Sequence, residues 1–296
     1  MKWFYALSDT RQGILLMLLA MLILAMMDAI AKYLTGSYNP MQVVWARYAC
    51  STLVVALALA PRLRELLVTR HLGLQLIRST FLFVATFAFF TSISRMRLAD
   101  TVAIFDINPL IVTMLAFFVL KEPVGPRRWF GVVVGLIGAF IIIRPGSSMF
   151  SVFSILPLMG ACSYAAYVIT TRFLGRDEHI LTSLLYTSLI GTIAASLLVP
   201  PVWITPTPLD GAMMISMGVL GGIGQYFLIR AFTVAEAGAI APFSYAGMIP
   251  AVSFGYLFFG EWPDLITILG ALVIVISGLY VWHRENKAQT TIRTDA

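Results

Sequence analysis

Apolar residues run through this chain in ten blocks, with the polar residues gathered between them. The blocks cover residues 13–34, 41–60, 74–93, 99–120, 126–143, 150–171, 180–198, 213–231, 237–259 and 265–282. About 20 residues of helix cross roughly 30 Å of hydrocarbon. A spanning strand needs only about 9–11 residues and alternates apolar with polar. The pattern therefore predicts an all-α polytopic membrane protein with ten transmembrane helices. The first block contains Asp28 and Lys32 and has no small-x-small site before polar sequence, so it reads as a retained helix, not a leader.

The ten blocks are two sets of five. One shift of 139 residues lays Glu122 on Glu261, Gly131 on Gly270 and Pro61 on Pro200. A shift of 140 lays Lys32-Tyr33-Leu34 on Arg172-Phe173-Leu174. Phe105, Pro109, Lys121-Glu122-Pro123, Gly131 and Gly138 are followed in the second half by Phe243, Pro250, Gly260-Glu261-Trp262-Pro263, Gly270 and Gly278. Five is odd, so the halves must enter the membrane in opposite orientations. Inverted repeats around a central cleft are the architecture of alternating access. The expected units are residues 1–146 and 147–296.

Composition agrees: 59% of residues are hydrophobic, only 11% are charged and mean hydropathy is +0.90, against about 25% charged in soluble domains. The basic residues set the orientation. With the N-terminus in the cytoplasm, fourteen of the twenty Lys and Arg fall on inner segments, and Arg95, Arg97 and Arg144 fall outside. Lys32, Arg47 and Arg78 lie within spans. Both termini are then cytoplasmic, as in a multi-pass protein of a bacterial inner membrane. The +6 charge belongs to contact with anionic lipid headgroups, not to nucleic acid.

Several chemistries lack their residues. Cys50 and Cys162 fall inside separate spans, which gives no disulfide or metal site. His71, His179 and His283 lie at or beyond span ends without a ligand-spaced companion. No G-x-S-x-G and no phosphate-binding Gly-rich loop occurs, so an enzyme, a cofactor and ATP drive are not expected. A channel would line its pore with rings of like groups. The charges here form one asymmetric set instead.

That set is the candidate site. A charge at helix centre costs at least about 2.5–3.5 kcal/mol on insertion scales, so it needs a partner or water. Asp28, Arg47 and Asp106 lie at similar depth in three helices of the first half. They read either as a charged lining of the cleft, handling a solute's charges or a coupled proton, or as a buried pair tying helices together. Lys32 and Arg78 read as side chains reaching an interface. Asn108-Pro109 in the fourth block, and Pro242 and Pro250 in the ninth, mark interrupted helices at corresponding places, the best sequence pointer to a midplane site. Tyr164 and Tyr167 with Gln225, and Ser244 with Tyr245, add polar groups. The phenylalanines at 81, 83, 87 and 90 read as packing. The Gly131, Gly135 and Gly138 face, with Gly270 and Gly278, permits close helix contact inside the monomer or in a dimer seam.

Asn108-Pro109 with Lys121-Glu122-Pro123, and Ala241-Pro242-Phe243-Ser244-Tyr245 with Gly260-Glu261-Trp262-Pro263-Asp264, resemble the signatures of the EamA-type branch of the drug/metabolite transporter (DMT) superfamily. The likeness covers essentially the whole chain. It implies gradient-driven transport of a small-molecule substrate through a central cleft. Members similar in layout include the YddG-like amino-acid exporters, and others carry riboflavin or cationic drugs. An amino acid is the solute that the mixed charges favour, and the resemblance to exporters implies the outward direction; another metabolite and a channel are the alternatives.

Overall fold

The computed structural model describes residues 8–58, 60, 63–121, 125–145, 152–174, 178, 180–235 and 240–294. Ten helical elements run in order: α1 Asp9–Thr35, α2 Pro40–Ala58, α3 Leu72–Ile93, α4 in two pieces, Leu98–Phe105 and Asn108–Leu120, and α5 Pro126–Ile143. The second half follows with α6 Ile155–Leu174, α7 Ile180–Leu198, α8 Pro208–Val234, α9 as a 3₁₀ stretch Ala241–Gly247 continuing into Met248–Phe259, and α10 Leu265–Thr294. Seven of the described helices are long and apolar enough to cross a bilayer, and Trp129–Ile143 and Phe243–Phe259 are shorter apolar ones. Leu53, Leu57, Phe118, Phe130, Leu257 and Phe258 are each at least 60% exposed. Such a surface suits lipid, where apolar side chains carry no penalty.

The inverted repeat is visible in who packs on whom. Exchanging the halves turns α1 on α8 into α6 on α3, and these are two of the most extensive helix contacts. α2 with α7 and α5 with α10 map onto themselves, and both pairs pack closely. Helix ends repeat as well. Lys121 closes α4 at φ 55° and Gly260 closes α9 at φ 65°, both left-handed caps that expose the last carbonyls to new donors. The two residues are 139 apart.

The glycine face is used within the chain. A Cβ added at Gly138 would stand 2.9 Å from the Gly270 carbonyl oxygen, and one at Gly270 would stand 2.8 Å from that of Gly138. α5 and α10 thus meet backbone to backbone. Gly131 and Gly135 meet Val281 and Ser277 of α10 along the same seam.

The fourth block, expected as one helix, breaks at Asp106-Ile107. Pro109 explains it: the residue has no N–H, which leaves the carbonyl of Phe105 one turn back without its helical donor. Asn108 Nδ2 donates to that carbonyl at 3.0 Å. α9 breaks in the same region, with Pro242 in the 3₁₀ stretch and Pro250 in the first turn of the helix after it.

The ion pairs seen among the described residues gather on the face that carries the α1–α2, α3–α4 and α9–α10 connections. Lys32 corrects its expected role: it is not reaching for headgroups. Its Nζ pairs with Glu261 at 2.9 Å and donates to the Met96 carbonyl at 2.6 Å, while Glu261 accepts from the Leu98 N–H at 3.1 Å. Arg97 pairs with Asp100 at 2.7 Å and Asp264 at 3.1 Å, and Arg144 also pairs with Asp264. Two basic residues that defied the charge bias are therefore neutralised locally.

Burial alone would push the Asp264 carboxyl up, but the Thr267 N–H and the Arg144 and Arg97 guanidiniums outweigh it and hold the group well below the usual carboxylate range. A depressed folded value stabilises the fold above the unfolded value of about 3.9 and is lost as pH falls through the folded value. Asp264→Asn should therefore melt below wild type at pH 7, with the gap closing as pH drops beneath 4. A gap independent of pH would show that the carboxylate charge is not what matters.

Candidate substrate cleft

Arg47 stands at the middle of α2. Its Nη1 donates to Thr86 Oγ1 of α3 at 2.7 Å, and its guanidinium lies 5.3 Å from the Tyr48 ring centre and 5.6 Å from that of Phe90. Tyr48 shares a 2.9 Å hydrogen bond with the same Thr86. Gly221 of α8 leaves room on the other side: a Cβ there would sit 3.7 Å from Arg47 Nε. Asp28 of α1 is half-buried and follows Met27, whose Sδ meets the same Gly221 that Arg47 does. Among the described residues the two form no direct ion pair. Opposite charges thus sit in one neighbourhood, neither locked onto the other.

A run of aromatic rings leads away from Arg47. Phe90 and Phe89 are 6.4 Å apart, Phe89 and Phe105 5.2 Å, Phe105 and Tyr164 5.6 Å, and Tyr164 and Tyr167 5.5 Å. Spacings of 4.5–7 Å with tilted or edge geometry are those aromatic pairs prefer. The far end of the run is anchored by Arg78, whose guanidinium lies 4.6 Å from the Tyr167 ring centre. Arg78 is a second correction. It is 2% exposed, and it donates to Thr171 at 2.7 Å, Tyr167 Oη at 2.8 Å, Thr187 at 2.9 Å and the Ser183 carbonyl at 3.1 Å. It fastens α3 to α6 and α7. Gln225 of α8 reaches Tyr167 Oη at 3.5 Å.

The residues singled out from the sequence fall into two groups. Asp28, Arg47, Tyr164, Tyr167 and Gln225 come together along the aromatic run, with Tyr164 against Tyr167 and Gln225 reaching the same tyrosine. Asp106 stands apart from that cluster: it caps the first piece of α4, and its Oδ2 is buried with no hydrogen-bond partner, as is Tyr245 Oη of α9. Asn108 is occupied by the broken α4 backbone, and Pro109, Pro242 and Pro250 mark the two breaks. Ser244 is half-buried beside Tyr245. Sequence reasoning missed Thr86, Tyr48, Phe89 and Phe105. Phe105 carried a signal, since it precedes Asp106 at the break; the others lie in apolar runs without one. On the α1–α2 side, a cavity of about 500 Å³ is lined by Thr35, Tyr38, Asn39, Phe87, Thr91 and Arg95. Phe87 and Thr91 adjoin Thr86 and Phe90 on α3.

The sequence matches the EamA-like transporter family over residues 11–144 and again over 152–282. The chain belongs to that family. This EamA-type chain is 27% identical to the S-adenosylmethionine uptake transporter of Rickettsia prowazekii over 288 residues, 97% of each protein. It is 27% identical to the pseudopaline exporter CntI of Pseudomonas aeruginosa, covering 90% of this chain and 94% of that one. With the riboflavin transporter of Vibrio cholerae it shares 28% identity, over 93% and 94%. A crystal structure of another protein superposes with a TM-score of 0.62 at 18% identity, covering 91% of this chain and 96% of its own, and supports the fold alone. The EamA-type chain is a multi-span transporter of the DMT superfamily and not an enzyme.

Proposed function

We propose that this transporter moves a small zwitterionic metabolite, an amino acid or a compound with an amino-acid head, outward across the bacterial inner membrane by alternating access. Both termini then face the cytoplasm, and the α1–α2 connection faces out. The observation that carries the reading is the pairing of Asp28 with Arg47 in one neighbourhood without a direct ion pair. An ammonium needs an anionic contact and a carboxylate a cationic one, and this pair offers both. Arg47 is held ready by Thr86, so less freedom is lost when it binds. The aromatic run from Phe90 to Tyr167 supplies an apolar wall for the rest of the solute, as small-molecule sites do. S-adenosylmethionine, after which the Rickettsia relative is named, itself contains an amino-acid head. The outward direction rests on the resemblance in layout to amino-acid exporters.

The same aromatic run favours a second reading, a planar ring solute such as a flavin. A ligand that binds the native state stabilises it by mass action, about 2.7 kcal/mol at a hundred times Kd. Purified protein should melt higher with amino acids that bear ring or thioether side chains, and should be indifferent to riboflavin. Stabilisation by riboflavin alone would replace the first reading with the second.

A further inference from the structure

Asp106 and Tyr245 are 139 residues apart, the offset that relates Glu122 to Glu261 and Lys121 to Gly260. They hold one place in two inverted halves: Asp106 caps the first piece of α4, and Tyr245 lies in the 3₁₀ stretch of α9. Tyr245 packs with Ile104, Ile107 and Ile111 around the α4 break, within electrostatic reach of Asp106. Equivalent residues of inverted halves can approach only beside the axis that exchanges the halves. Off-axis groups trade places when the halves swap conformations, whereas groups on the axis stay put. A site there keeps the same partners while access to it changes side.

Both residues carry an unanswered polar atom. Asp106 Oδ2 and Tyr245 Oη are buried with no hydrogen-bond partner, an arrangement that disfavours the fold unless something answers them. No described Lys, Arg or His pairs with Asp106. Arg47 instead donates to Thr86 and lies against the Tyr48 and Phe90 rings. Around this point α6 presents Tyr164 to Phe105, α3 presents Phe89, and α10 brings the Gly278 backbone against Tyr245. A hard metal ion such as Ca²⁺ takes six to eight oxygens, far more than these two. A proton asks for one acceptor.

We propose that Asp106 and Tyr245 form a proton site on the pseudo-two-fold axis, separate from the Asp28–Arg47 pair, that couples solute movement to the proton gradient. This rests on the transport reading. A proton from one aqueous side attaches to the Asp106 carboxylate, and the new O–H is donated to Tyr245 Oη. When it leaves to the other side, the Tyr245 O–H turns and donates to the carboxylate. No other bond forms or breaks. The α4 break beside Asp106 supplies the freedom to close the gap between them.

The test uses proteoliposomes holding a pH-sensitive dye and a labelled mixture of amino acids. Wild type should move protons with amino acids at a fixed ratio. Asp106→Asn should lower the protons moved per amino acid at least tenfold and flatten the pH profile of whatever exchange remains, and Asp106→Glu should restore both. Tyr245→Phe should shift the midpoint of the pH profile. Amino-acid exchange that is indifferent to pH and moves no protons in wild type would overturn the proton site and leave the transport reading intact. If no amino acid moves, infrared pH titration of the purified protein decides: a protonated-carboxyl band present in wild type and missing in Asp106→Asn supports the site, and identical titrations overturn it.

Discussion

Arg47→Ala should lower solute exchange by at least tenfold while leaving the melting temperature within a few degrees of wild type. A charge-assisted hydrogen bond contributes about 1.5–3 kcal/mol, and each 1.4 kcal/mol is a factor of ten. Loss of the guanidinium removes the cationic contact for a carboxylate and leaves Asp28 without a counter-charge. The surrounding fold keeps its own bonds, because Tyr48 and Thr86 are hydrogen-bonded to each other at 2.9 Å without Arg47. Arg47→Lys keeps the charge but not the planar fork, and should recover part of the rate. Unaltered exchange in Arg47→Ala, with a lower melting temperature, would make this arginine a packing residue.

Arg78→Met should show the opposite profile, with a large loss of stability. Four donations from one buried guanidinium tie α3 to α6 and α7. Methionine approximates the volume but leaves Tyr167 Oη and the Ser183 carbonyl without that donor. Destabilisation of about 3 kcal/mol is expected, near the value of one strong charged hydrogen bond after the neighbours relax. Arg78→Lys can reach only some of the four acceptors and should fall between. Thermal unfolding in detergent measures it; a methionine variant as stable as wild type would mean that this cluster holds nothing together. The two arginines separate the cleft from its frame.

The fold was legible because bilayer thickness imposes helix length and because the 139-residue repeat survives in residues with strict geometric duties. Gly270, the repeat mate of Gly131, meets the Gly138 backbone in a contact that any side chain would prevent, and Glu261 and Lys32 hold helix ends from different halves. The site was legible only in part. Asp28 and Arg47 stood out since charge in hydrocarbon needs a reason, but sequence depth could not tell that Asp106 caps a broken helix without an ion-pair partner among the described residues. Arg78 sits near the start of α3, where an arginine reaching for headgroups and one buried among hydroxyls look alike in sequence. Its acceptors, Thr171, Ser183 and Thr187, lie on α6 and α7, far along the chain. Lys32 was misjudged for the same reason: its acid, Glu261, is in the other half.

Exchange of labelled amino acids by the purified protein in liposomes tests the central claim most directly. The account predicts saturable counterflow without ionic current, competed by unlabelled amino acids and weakened by Arg47→Ala. Ohmic current without saturation, or exchange of riboflavin with none of any amino acid, would contradict it.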